Sequence, residues 1–145
     1  MATPIRERLL SALTTAVAGE YGIPAPEDER DLPVTIVQDG ADEAGGSYGV
    51  VAWTTPVAIG RAAAAVDTSA MTPTAARAAL RAQAHDMLAA LWVALEVDDT
   101  FGGLADGFDA DGQSIQTELG QFVFAELAIR LRWHHARGKP DQIDE

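Results

Sequence analysis

Across residues 123–134 apolar and polar positions alternate without a break. Val123, Ala125, Leu127, Ile129, Leu131 and Trp133 fall on one side, and Phe124, Glu126, Ala128, Arg130, Arg132 and His134 on the other. A period of two marks a strand with one buried face, and predicts the last strand of the fold. Two other stretches carry a helical period. Ile5, Leu9, Leu13 and Val17, joined by Leu10, form one apolar stripe behind Thr3-Pro4, read as a cap followed by proline at the first helical position. Gly19, Gly22 and Pro24 are expected to stop that helix. Leu80, Ala84, Met87, Leu88, Leu91 and Leu95 make the stripe of a longer helix running from Thr72-Pro73 to about Leu95. Arg77, Arg81 and His85 lie four apart on a neighbouring stripe.

Between these elements the pattern is less regular. "LPVTIVQDG" reads as a β-branched strand ending in a turn, and "ADEAGGS" as an acidic, mobile loop within residues 39–47. "YGVVAWTTPVAIGRAAAAVD" predicts a strand through Trp53, a break or bulge at Pro56, and a second strand from Val57 to about Val66. Alanines 62–65 suit a helix on propensity, but their place after Val57 and Ile59 keeps them in the strand. "VDDTFGGLADGFDADGQ" reads as a turn-rich loop, and Ser114 to Leu119 as the first arm of a hairpin turning near Gly120. "IPAPEDERD" is a connector too short to separate domains. The expected fold class is α+β: a mostly antiparallel mixed sheet of four to five strands packed against two main helices. One domain is expected over residues 1–145, with a core of 1–137 and a polar C-terminal arm, 138–145, ordered only by neighbours.

Composition narrows the function classes. The 145 residues suffice for one core, burying roughly 70% of the unfolded surface. Cysteine is absent, which excludes disulfides, thiolate metal sites and cysteine nucleophiles. The first residues do not read as a signal peptide, and no apolar run approaches the ~20 residues of a membrane span, so a soluble protein made in the cytoplasm is expected. Ten Lys and Arg face 22 Asp and Glu, a formal net charge of −12. That balance argues against a protein that grips nucleic acid, though not against one that DNA passes without sticking.

The candidate chemistry is thin. In "RLRWHHARGKP", His134 and His135 are strand neighbours whose side chains should diverge, and His85 sits alone on the long helix. "GFDADGQSIQTE" places Asp109, Asp111, Gly112 and Glu118 at calcium-loop positions, but Gly107 stands where the first aspartate belongs. Ser11, Ser47, Ser69 and Ser114 lack a nucleophile elbow, and Gly102-Gly103 lacks the lysine of a phosphate loop. Asp98-Asp99 reads as a solvated helix end. No catalytic, cofactor or metal residue is assigned, and no cofactor is expected.

Taken together, "IRERLLSAL", "LPVTIVQDG", the alanine-rich helix, "DDTFGGLADG" and the glutamate-bearing hairpin resemble the tail terminator (tail completion) proteins of long-tailed bacteriophages and related gene transfer particles. The likeness runs over nearly the whole chain, with "DDTFGGLADG" its most characteristic run. It implies a sheet covered by helices and a structural virion protein, assembled as a six-membered ring at the head-proximal end of the tail tube. It also implies the tube protein and neck or head–tail connector proteins as partners. DNA would pass through the ring without specific binding, past a lumen whose acids would repel phosphates. Glu126, Arg130, Arg132 and His134 are the expected subunit-interface residues. The alternatives are another neck protein of the same particle, an acidic binding or inhibitor module with a basic partner, and a calcium- or zinc-dependent enzyme.

Overall fold

The structure, a computed structural model, describes residues 3–21, 33–47 and 50–143; the connector "IPAPEDERD" lies outside them. In chain order the elements are α1 (Ile5–Ala16), β1 (Glu20–Tyr21), β2 (Val34–Asp39), β3 (Glu43–Ser47), β4 (Val50–Ala64), α2 (Pro73–Glu96), β5 (Gly107–Gln116) and β6 (Phe122–Ala136). They build one six-stranded sheet in the order β1-β2-β4-β6-β5, with β3 also on β4. All pairs are antiparallel except β1 with β2. The expected α+β class is the observed one, with six strands where four to five were expected.

The alternation along β6 decides which face is covered. Val123, Ala125, Leu127, Ile129 and Leu131 are fully buried, and Trp133 nearly so. They share one core with Ile5, Leu9, Leu10 and Leu13 of α1 and Met87, Leu88, Leu91 and Leu95 of α2. Both helices therefore pack on the same side of the sheet. The other β6 face, Phe124 through His134, is covered by neither helix.

Helix boundaries follow local chemistry, with two differences from expectation. At α2, Thr72 accepts a hydrogen bond from the Ala75 amide and Pro73 takes the first helical position, as the sequence signals. At α1 the cap position is Pro4 itself, and no side chain caps the helix. Its end is a Schellman turn: the Gly19 amide donates to Thr14 and the Ala18 amide to Thr15. The left-handed residue is Ala18, at φ 53°, not Gly19. Glycine is needed one place later, because a Cβ at Gly19 would sit 3.1 Å from the Thr35 carbonyl oxygen.

Three strand expectations are corrected. Residues 43–47, read as a loop, form β3 on Val50–Thr54, where β4 extends beyond the end of β2. β5 begins at Gly107 rather than Ser114, so Asp109 and Asp111 lie on a strand. β4 runs unbroken through Pro56. Its partners explain why: β2 ends opposite Val57 and β3 begins opposite Thr54, leaving Pro56 at the seam. The Pro56 carbonyl accepts from the Gly40 amide, so the ring nitrogen on the same side faces a place where no ladder bond is owed.

The C-terminal arm is also tied to its own chain as far as it is described. The Ile5 amide donates to the Pro140 carbonyl at 2.8 Å, Arg8 to that of Asp141, and Ile143 packs against the core.

Truncating Leu127, fully buried at the centre of β6, removes contacts to both layers. Leu127→Ala should lower stability by about 2–5 kcal/mol, read as a shifted midpoint in urea unfolding.

Candidate functional site: a charged sheet face and an arginine clamp

The β6 face away from the helices carries a ladder of charges assembled from three strands and a loop. Arg130 lies 3.3 Å from Asp111 of β5 and 3.6 Å from Glu43 of β3. Arg132 lies 3.0 Å from Asp109, and His134 Nδ1 3.0 Å from Asp106. Glu126 stands on the same face by alternation. Two local devices make the ladder possible. A bulge between Ala110 and Gly112 interrupts the β5–β6 register around Asp111. Gly107, at φ 140°, lies opposite Arg132, where a Cβ would come within 2.9 Å of the guanidinium.

Arg130 and Arg132 are thus engaged by carboxylates of their own chain, yet remain 47% and 48% exposed. Exposed pairs of this kind contribute about 0–1 kcal/mol each, so the ladder adds little to stability. Around it stand five carboxylates, Glu43, Asp106, Asp109, Asp111 and Glu126, against two guanidinium groups.

A second polar cluster lies where α1 meets the sheet. Arg6 donates to both carboxylate oxygens of Asp42 and also to Asp39. The Tyr21 hydroxyl donates to Asp39. Asp42 accepts from the Thr55 hydroxyl at 2.7 Å, and Thr55 accepts from the Trp133 indole N–H at 2.8 Å. A continuous chain of hydrogen bonds therefore runs from the core to the surface. Partial burial works against the charge of Arg6, but its two aspartate partners outweigh that and hold its pKa above the usual value. Burial likewise pushes Asp39 upward; the Tyr21 hydroxyl and Arg6 overcome it and hold the carboxyl below its ordinary range. The hydrogen bond to Asp39 raises Tyr21. The clamp joins residues more than thirty positions apart, so spacing could not reveal it.

The remaining candidates resolve into structural roles. Asp98 accepts from the amides of Thr100 and Gly102 and from the Thr100 hydroxyl, closing the turn after α2. Phe101, Gly102 and Gly103 follow with positive φ. "DDTFGG" is a helix exit in which the first aspartate folds the backbone. His134 and His135 do diverge: His134 meets Asp106, while His135 stacks on Trp53, lies tilted against Trp133 and donates from Nδ1 to the Ala136 carbonyl. Asp109 and Asp111 sit on extended backbone rather than wound around a cation, and Glu118 lies beyond the strand. Among the described residues no three His, Asp or Glu side chains are grouped to hold a metal ion.

A concavity of about 800 Å³ beside α2 is lined mainly by Val17, Met71, Ala79, Ala82, Ala90 and Ala94. Its arginine, Arg61, already donates to Thr35. Gln83 is held by the Val66 amide and the Ala64 carbonyl, which leaves Asp86 as the other charged group of the lining. No described helix is long and apolar enough to cross a membrane.

No protein-family model matches the chain, and no curated protein matches it with significance. Among solved structures it is similar to a chain of the virion of a native gene transfer agent (GTA) particle, at 13% identity and a TM-score of 0.37. The alignment covers 90% of this chain and 92% of that one. At that identity and TM-score nothing about function passes from one chain to the other.

Replacing Arg6 by Met keeps the helix and strands two aspartates that are largely buried, with side chains 14% and 24% exposed. Stability at pH 7 should fall by about 2 kcal/mol in urea unfolding. A depressed carboxyl stabilises the fold above its unfolded value of 3.8, and that contribution is lost as pH falls through the lower folded value. The gap between wild type and Arg6→Met should therefore narrow in acid, below 3.8.

Proposed function

We propose that the chain is a structural protein of a phage-like particle, the subunit of a ring that caps the head-proximal end of the tail tube and joins it to the neck. The observation that carries this reading is the charged face of β6 away from the helices, bounded by β3 and β5 and backed by a closed core. Such a face is suited to contact over an area, not to holding a small molecule. The whole-chain resemblance to tail terminator proteins supports the same assignment, and the turn-forming role of Asp98 gives its most characteristic run a structural purpose.

In this reading the protein is not an enzyme. Its partners are further copies of itself, six to a ring, together with the tube protein and the neck proteins, and its place is the virion tail. Glu126, Arg130, Arg132 and His134 belong to a contact surface between subunits. The abundance of acids suits a channel that DNA traverses without adhering.

Deleting the coding sequence from the producing cell tests the assignment. Negative-stain micrographs should show overlong tails, or tails without heads. Tails of normal length joined to heads would overturn it.

A further inference from the structure

We infer that one copy's charged β5–β6 face docks on the basic N-terminal half of α2 of the next copy, a head-to-tail contact of two different surfaces. This rests on the ring reading above and says which parts of the chain close the ring. A ring subunit meets its two neighbours through two unlike patches, because a heterologous contact repeated by rotation closes on itself. The fold supplies two such patches: the sheet face away from the helices, and, in the other layer, the N-terminal half of α2, which precedes the part packed on β6 through Leu88, Leu91 and Leu95.

The charges match that geometry. In a chain of net charge −12, the sheet face holds five carboxylates against two guanidinium groups. On α2, Arg77, Arg81 and His85 follow one another at a spacing of four beside the buried stripe, all exposed. Neither arginine makes an ion pair with a described residue; Arg77 reaches only the Pro73 carbonyl, at 3.5 Å. The first turn of α2 holds no acid, and the nearest one along the helix, Asp86, faces the apolar groove beside Ala79 and Ala90. The positive end of the helix dipole offers cations nothing there. A second copy's acidic sheet face does.

Sedimentation velocity of the purified chain across a concentration series at low salt tests the contact. The wild type should associate with concentration, less so as salt is added. Arg77→Glu with Arg81→Glu lies on an exposed helix face and should leave the fold intact while weakening association about tenfold or more. Glu43→Lys with Glu126→Lys leaves the Asp106, Asp109 and Asp111 pairs in place and should weaken it similarly. Mixing the two variants in equal amounts should restore association, since each reversed patch then meets its complement in an alternating ring.

A wild type that stays monomeric, an Arg77/Arg81 variant that associates as the wild type does, or a mixture that fails to recover would each overturn the contact. The tail phenotype is independent. Normal tails after gene deletion would remove the function and leave the contact standing, and a monomeric chain whose deletion gives overlong tails would do the reverse.

Discussion

Fifteen consecutive residue pairs join β4 to β6, from Val50 with Ala136 to Ala64 with Phe122, and the rest of the structure hangs on that ladder. It brings Val57 and Ile59 beside Ile129 and Leu127, giving the helices a floor to pack on. Its length lets β2 and β3 share one edge of β4 in series, while β5 takes the free edge of β6. Every pair spans α2 and β5 in sequence, so loop-closure entropy must be met before the ladder gives anything back, and folding should be slow for a domain of this size.

The same ladder explains what could be read from the residues. β6 was legible because its two environments differ along its whole length, and a strict period of two has no other physical reading. The α2 stripe was legible for the corresponding reason at a period of 3.6. β3 was not. "EAGGS" has the residues strands avoid, and it becomes a strand because β4 projects past β2 and leaves backbone groups to be paired. Pro56 misled in the opposite direction, since its lack of an N–H is harmful only inside a complete ladder and it stands at a seam between two.

The candidate site divides in the same manner. That Arg130, Arg132 and His134 share a face with Glu126 follows from alternation alone. That Asp109, Asp111, Asp106 and Glu43 close around them depends on register, a bulge and the seating of β3, none of which a linear pattern contains. Arg6 was hidden more completely. It looks like one charge among several at a helix start, and only the docking of α1 on the sheet brings it between Asp39 and Asp42. A long-range clamp of this type has no local signal.

The hydrogen bond from Ile5 to Pro140 places the beginning of α1 beside the turn that follows β6. The backbone is thus nearly a closed loop in space, fastened at one corner. A short linker from Ile143 to Thr3 could complete the circle, and the chain could then be opened in the exposed turn around Gly120, between β5 and β6, without cutting the β4–β6 ladder. Such a permuted chain would have the same packing and a different order of synthesis, separating what the contacts require from what the chain's direction contributes.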